Sequence, residues 1–310
     1  MSSFSSSSAA PAPTGPGLPS AASQHYPQGA LYVVATPIGN LADITLRALH
    51  VLQLVDAIAC EDTRHSARLL SAYGISRPLL AVHEHNENEA ASGIIARLQQ
   101  GERIAYISDA GTPGISDPGA RLCAAVQQAG LRCIPLPGAS SITALLSVAG
   151  IAATPHPCAF EMTGFLPPKG RERQQAIQRL AATPHACVLL ESPHRISSLF
   201  DGLATLGERA ITIGREITKQ FEDIVTLPCN QLPHWLNANA NRSKGEFALV
   251  LHPLPQEPSA DAVPPEALRI LDLLLTELPV KTAAKLGADI TGTSRNALYQ
   301  AALDRQTDRR

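Results

Sequence analysis

The sequence predicts an α/β protein: a mostly parallel sheet covered on both faces, then a second α/β or α+β domain, then a few helices. Three observations predict it. Between residues 31 and 148 short apolar runs alternate with stretches whose apolar residues recur at helical spacing. The polar and Gly/Pro-rich loops follow the apolar runs. Beyond residue 158 the strand-like runs crowd together, and beyond residue 265 only helical patterns remain.

Residues 1–29 are largely Ser, Ala, Pro and Gly with almost no charge, and read as a disordered tail. They lack the basic start and apolar centre of a signal peptide. Leu31-Tyr32-Val33-Val34-Ala35 is a buried strand by its continuous apolar content, and Thr36-Pro37-Ile38-Gly39-Asn40 is a loop. Leu41, Ile44, Ala48, Leu52 and Val55 share one helical face. Residues 57–60 form a strand ending at Glu61-Asp62, and residues 64–73 a helix stopped by Gly74. A strand at 79–82 leads into His83-Glu84-His85-Asn86-Glu87. Ile94, Ile95 and Leu98 mark a helix stopped at Gly101. The strand at 103–107 enters the loop Ser108-Asp109-Ala110-Gly111-Thr112-Pro113-Gly114-Ile115-Ser116-Asp117-Pro118-Gly119, and a helix begins at Ala120. A strand at 131–136 and the turn Pro137-Gly138-Ala139-Ser140-Ser141 precede a helix at 142–148, with Ser141 as a candidate N-cap.

Thr154-Pro155-His156-Pro157 marks a domain boundary. Strands follow at 158–163, 187–191, 210–216, 224–227 and 246–251, with helices at 171–181, 194–206 and 232–238. The Pro-rich stretch after His252 is a linker, and helices at 266–277, 281–287 and 294–303 end in a helix-turn-helix pattern. The domains are therefore 30–153, 154–252 and 265–310, joined by a linker at 253–264.

Of the 310 residues 45% are hydrophobic and 17% charged, an ordinary globular balance, and the net charge is −2. That charge gives no overall basic field for nucleic acid, though it leaves room for a local basic patch. No apolar stretch is long enough to span a membrane. The six cysteines form no C-x-x-C pair and read as reduced core residues of a cytosolic protein, not as a zinc site or disulfide set.

In open α/β sheets ligands bind beyond the carboxyl ends of the strands. The loops at Pro37, Glu61, His83, Asp109 and Gly138 all share that edge. The 108–119 loop can be a tight turn, but a second small-residue loop at 137–141 makes a cradle with it. Asp62 caps the next helix, which leaves Glu61 at a strand end unexplained. His83-Glu84-His85-Asn86-Glu87 holds metal-ligand types without helical metal-site spacing, and no metal is expected. Arg64, His65, Lys169, Arg171, His194, Arg195, Arg215 and Lys219 form a basic rim if their loops converge. No G-x-G-x-x-G, Walker or G-x-S-x-G pattern occurs, which removes support from dehydrogenases, P-loop enzymes and serine hydrolases.

Leu31-Tyr32-Val33-Val34-Ala35-Thr36-Pro37-Ile38-Gly39-Asn40 resembles the opening of the ribosomal RNA small subunit methyltransferase I family, part of the tetrapyrrole methylase-like (class III) methyltransferases. The likeness continues through Cys60-Glu61-Asp62-Thr63-Arg64-His65, Ser108-Asp109-Ala110-Gly111-Thr112-Pro113, Gly164-Phe165-Leu166-Pro167, Glu191-Ser192-Pro193-His194-Arg195 and Lys244-Gly245-Glu246. It implies two α/β domains with S-adenosylmethionine in the cleft between them, plus a small helical appendage. It also implies a cytoplasmic homodimer that methylates the ribose 2′-oxygen of a cytidine in 16S rRNA of the small ribosomal subunit. Carried onto this chain, Pro37, Ile38, Gly39, Asp109, Ala110, Gly111, Thr112, Ser141, Ile142, Leu190 and Ala248 hold the cofactor. Glu61 or Glu191 serves as base, with His85 and His194 as further acid/base candidates, or Lys169 instead orients or polarises the hydroxyl. Arg64, His65, Arg171, His194, Arg195, Arg215 and Lys219 meet RNA. A tetrapyrrole C-methyltransferase and a non-catalytic ribosome-binding module are the alternatives.

Overall fold

The computed structural model describes residues 21–83, 87–115, 119–151, 159–254 and 263–307. The chain divides into two compact units, Met1–Pro253 and Leu254–Arg310.

The first unit holds two five-stranded sheets. The first sheet is built from β1 (Ala30–Val34), β2 (Ala57–Cys60), β3 (Leu79–Ala81), β4 (Arg103–Ile107) and β5 (Arg132–Leu136). Its helices are α1 (Leu46–Leu54), α2 (Thr63–Ala72), α3 (Glu87–Gln99) and α4 (Ala120–Gln128), and α5 (Ser141–Val148) follows β5. All its strands are parallel, in the order β3-β2-β4-β1-β5. Strand residues alternate between two cores, as a doubly covered sheet requires. Tyr32, Val34, Ile58, Ala105 and Ile107 pack with α1 and α2, while Leu31, Ala59, Ile104 and Tyr106 pack with α3 and α4.

The single helix expected from Leu41 to Val55 is broken. Asn40 accepts from the Ala42 N–H and opens a short 3-10 turn, Leu41–Asp43. Thr45 is extended and starts α1 afresh, its hydroxyl oxygen accepting from the Ala48 N–H at 3.1 Å. Two short polar side chains compete with the helical ladder and win locally. Ser141 is also not the cap of α5: the N-cap is Ser140, and Ser141 is the first helical residue.

The second sheet comprises β6 (Phe160–Gly164), β7 (Ala186–Glu191), β8 (Ala210–Arg215), β9 (Asp223–Pro228) and β10 (Phe247–Leu251), in the order β6-β7-β10-β8-β9. Only β6 and β7 pair in parallel; the other pairs are antiparallel. One face, with Phe247, Leu249 and Leu251, packs against α6 (Gly170–Ala182), α7 (Ile196–Leu203) and α8 (Leu232–Asn237). The other, with Val188, Ala248 and Val250, packs against α5. The helix after the first sheet therefore covers the second, which brings the two sheets together at one cleft. The expected boundary at Thr154-Pro155-His156-Pro157 lies outside the described residues, as do residues 1–20 of the expected 1–29 tail and residues 84–86 and 116–118. Residues 21–29 are not a disordered tail: Ala21–Ser23 form a 3-10 turn, and Tyr26, 7% exposed, packs into the core of the first sheet because its aromatic ring has apolar surface to bury.

The second unit contains α9 (Pro265–Glu277), α10 (Val280–Thr291) and α11 (Arg295–Thr307) around Leu271, Ala283, Ala284, Leu298 and Ala302. Helix α10 runs past the expected stop at Gly287. There a Cβ would lie 3.3 Å from the Leu298 side chain, so this glycine lets α10 approach α11. The true stop is Gly292, left-handed at φ 70, whose N–H bonds the Ala288 carbonyl.

Candidate functional site

Connections from β1 and β4, neighbours in the first sheet, leave toward opposite faces, to α1 and α4. This topological switch point is where open α/β sheets hold ligands. The two loops are tied across it. Thr36 N–H donates to the Gly111 carbonyl at 2.9 Å, Gly111 N–H returns to the Thr36 carbonyl at 3.0 Å, and the Thr36 hydroxyl reaches the Ser108 carbonyl at 3.3 Å. Gly111 has φ 80, and a Cβ there would press on Ile38 Cγ2 at 3.3 Å. The third loop joins through Thr112, whose hydroxyl donates to the Ala139 carbonyl at 3.1 Å.

Above these loops lies a cleft of about 430 Å³, within the usual range for a small-molecule site. The first half lines it with Ile38, Glu61, Asp109, Thr112, Ser141 and Ile142 among others. The second half faces them with Leu190, Gly214, Ile217, Glu246, Phe247 and Ala248. The described lining carries the carboxylates of Glu61, Asp109, Glu191 and Glu246 and no lysine, arginine or histidine. Glu191 and Glu246 are themselves ion-paired, so the described lining offers a cationic ligand the carboxylates of Asp109 and Glu61 and offers a phosphate no cation. Asp109 Oδ1 accepts from the Asp62 N–H at 3.3 Å, which links the β4 loop to the start of α2. Asp62 in turn caps α2, and the N–H groups of Arg64 and His65 hold its carboxyl below its ordinary value.

Glu191 sits at the end of β7 with its side chain fully buried. Arg195 Nε lies 3.1 Å from Oε1, Arg173 Nη2 lies 3.9 Å from Oε2, and the Ser192 N–H donates to Oε1 at 2.9 Å. Both guanidiniums also reach the segment after β6. Arg173 donates to the carbonyls of Pro167 at 3.3 Å and Pro168 at 2.9 Å, and Arg195 donates to that of Leu166.

Residues 30–233 match the model of the Tetrapyrrole (Corrin/Porphyrin) Methylases, and residues 261–306 match the RsmI C-terminal HTH domain. Ribosomal RNA small subunit methyltransferase I of Escherichia coli O157:H7 is 46% identical over 90% of this chain and 96% of its own. The protein of the same name from Pseudomonas aeruginosa is 46% identical over 90% of this chain and 98% of its own. The chain belongs to the ribosomal RNA small subunit methyltransferase I family of tetrapyrrole methylases. Among solved structures, diphthine synthase (TM-score 0.55, 13% identity, 72% of this chain and 90% of that one) shares the fold. So does cobalt precorrin-4 methyltransferase (TM-score 0.53, 17% identity, 76% and 97%).

Within this cleft the structure gathers Ile38, Asp109, Ala110, Gly111, Thr112, Ser141, Ile142, Leu190 and Ala248 from the expected cofactor set. Pro37 and Gly39 stand outside the lining; Pro37 is buried, and Gly39 lies under the Lys219 side chain. Of the expected catalytic residues, Glu61 and Glu191 border the cleft. Lys169 is exposed at the N-cap of α6, outside the lining.

The expected basic rim divides. Arg64, His65, Arg171 and His194 are exposed. Arg195 is committed to Glu191, and Arg215, 7% exposed, donates to the Phe221 carbonyl at 3.0 Å. Lys219 Nζ sits 2.8 Å from Glu216 Oε1 and 3.2 Å from Glu246 Oε2. Its stem covers Gly39, where a Cβ would come within 2.4 Å of Lys219 Cγ. Lys219 thus latches the second sheet onto the β1 loop. Burial would raise the Glu216 carboxyl, but the Lys219 ammonium and the Glu246 N–H outweigh it and bring it below its ordinary value.

Among the lining residues that sequence reasoning missed are Gly214, Ile217, Glu246, Ile115 and Phe165. A glycine inside the apolar strand β8 was the available signal for close approach at Gly214. A Cβ there would strike Ile217 and Leu145 at 2.7 Å.

Proposed function

We propose that this protein transfers a methyl group from S-adenosylmethionine to the ribose 2′-oxygen of a cytidine in the decoding region of 16S rRNA, carried by the small ribosomal subunit. The observation that carries the reading is the likeness over 90% of the chain, helical unit included, to proteins named Ribosomal RNA small subunit methyltransferase I. The cleft supports the donor, because its described lining carries carboxylates and no lysine, arginine or histidine, which suits a sulfonium and an ammonium. In this reading the protein is a cytoplasmic homodimer. No described helix is long and apolar enough to cross a membrane.

When bound, the cofactor supplies an electrophilic methyl carbon on a positively charged sulfur. Asp109 takes the donor's hydroxyl or amine hydrogens, and the backbone around Ile38 and Ala110–Thr112 fixes its position. The start of α5, at Ser141 and Ile142, offers N–H groups to its carboxylate. The apolar walls at Leu190, Ile217 and Ala248 exclude water, so the methyl meets the acceptor oxygen and not solvent. Glu61 accepts the hydroxyl proton. Glu191 is the poorer fit to that step because its side chain is fully buried and ion-paired with Arg195 at 3.1 Å and Arg173 at 3.9 Å. The exposed cations Arg64, His65, Arg171 and His194, and the helices α9–α11, engage RNA by phosphate and shape.

The test offers methyl-labelled cofactor to isolated small subunits, naked 16S rRNA and a tetrapyrrole precursor. Label in rRNA at a ribose is the expected result. Label in the tetrapyrrole alone replaces the reading, and absence of any cofactor binding makes the protein a binding module. Asp109→Ala should weaken cofactor binding at least about tenfold by calorimetry. Glu61→Gln should slow single turnover by roughly 10²-fold or more with cofactor saturating; a full rate removes Glu61 from proton transfer.

A further inference from the structure

Two large apolar side chains of the cleft lining are more than half exposed: Ile115 at 53% and Phe165 at 54%. Other apolar residues of the same lining are covered, with Ile142 at 9%, Ile217 at 8% and Ala248 at 3%. The cleft therefore grades from a buried apolar floor to an open apolar mouth. Each half contributes one mouth residue, Ile115 from the loop after β4 and Phe165 from the segment after β6.

Phe165 is held in that exposed position by the fold. Gly164 has φ 70 and turns the chain sharply at the end of β6. Leu166, 4% exposed, anchors in the core of the second sheet. The carbonyls of residues 166–168 are fastened by Arg195 and Arg173, the two guanidiniums that meet on buried Glu191. An aromatic ring left half in water on a fastened segment, beside a reaction cleft, is binding surface.

We infer that Phe165, with Ile115 contributed by the other half, is the clamp for the nucleobase of the acceptor, and that Glu191 is the positioning residue that holds the clamp in place through Arg173 and Arg195. This rests on the proposed RNA substrate. A ribose 2′-oxygen reaches the cleft only if its nucleotide leaves the RNA stack, and a displaced base is taken up on an aromatic face. The described lining offers a phosphate no lysine, arginine or histidine, so the base and its ribose enter while the backbone stays outside. Glu191 thereby acquires a function that fits its buried pairing.

The test measures methyl transfer to small subunits together with calorimetric cofactor affinity. Phe165→Ala should raise the KM for subunits roughly 5- to 100-fold and leave cofactor Kd within about twofold, which also shows that the variant is folded. Phe165→Trp should stay near the wild-type KM, and Phe165→Leu should not. Ile115→Ala should raise KM by a smaller factor. Glu191→Gln should raise KM in the wild-type background and add little on top of Phe165→Ala, as expected of residues acting through one another. An unchanged KM in Phe165→Ala, a Leu variant equal to wild type, or additive Glu191 and Phe165 effects overturns the clamp. If the wild-type protein labels no rRNA at all, the substrate reading fails and the clamp fails with it. Wild-type labelling with an insensitive Phe165 fails the clamp alone.

Discussion

The two halves of the larger unit hold their loops by different means. In the parallel half the loops after β1, β4 and β5 emerge side by side and are joined by short polar contacts, the Thr36–Gly111 pair and the Thr112–Ala139 bond. In the mixed half, arginines do the same work. Among the described residues every buried charged side chain (Arg173, Glu191, Arg209 and Arg215) lies there. The difference follows from topology. Parallel strands deliver all their loops to one edge, within reach of one another. Antiparallel strands send loops to both ends, and a long planar donor is needed to span the gaps. Arg209 shows this best: it reaches the carbonyls of His252, Leu180, Thr183 and His185 at 2.7, 2.6, 2.9 and 3.3 Å.

The largest expected effect is on Arg209. Arg209→Met strands four carbonyls and should cost about 3–5 kcal/mol of stability in urea unfolding. Its opposite number, Thr36→Val, removes one side-chain bond and should cost about 1 kcal/mol. Equal losses break the contrast between the halves. Next comes Gly111→Ala, which combines left-handed backbone with the press against Ile38. It should cost about 1–2 kcal/mol and weaken cofactor binding in calorimetry, because the strained loop is the cleft floor.

The latch gives a pH signature. Glu216 is lowered from its ordinary 4.5, so its share of stability is present above that value and is lost as pH falls through the lowered one. Burial alone would lower the Lys219 ammonium, but hydrogen bonding to Glu216 and the charges of Glu246 and Glu216 raise it above 10.5. Its share is present below 10.5 and is lost as pH rises through the raised value. The stability gap between wild type and Lys219→Met should be widest between these limits and close toward acid. A gap independent of pH shows that the stem packed over Gly39 matters and the charge does not. The smallest effect is Thr45→Ala, the cap of α1, at about 1 kcal/mol.

The parallel half was largely legible in the sequence, because each strand is followed by its own loop and local pattern carries the fold. The loop that carries Asp109 and Gly111 could be placed from its neighbours alone, whereas Ile38 entered through the family resemblance. The mixed half was less legible. Nothing near Glu191 in sequence announces that Arg173 will meet it from another helix. Arg215 and Lys219 read as rim cations because charge at a strand end is visible. The turn that folds them back, with φ 53 at Glu216 and 68 at Thr218, is not. The two residues at the cleft mouth were hidden for a related reason: exposure of an apolar side chain is a tertiary fact.

Thr36 and Gly111 exchange both of their backbone hydrogen bonds, and Thr36 is 1% exposed. That wall cannot part from itself without breaking a shielded pair. The opposite wall is strand ladder too, with Ala248 paired to Leu190 and Gly214. Only its rim is held by side chains, Lys219 over Gly39 and the two arginines on residues 166–168, and side chains rearrange by rotamer changes. In a turnover limited by release, substitution at Lys219 should therefore change the rate, and Thr36→Val should leave it untouched.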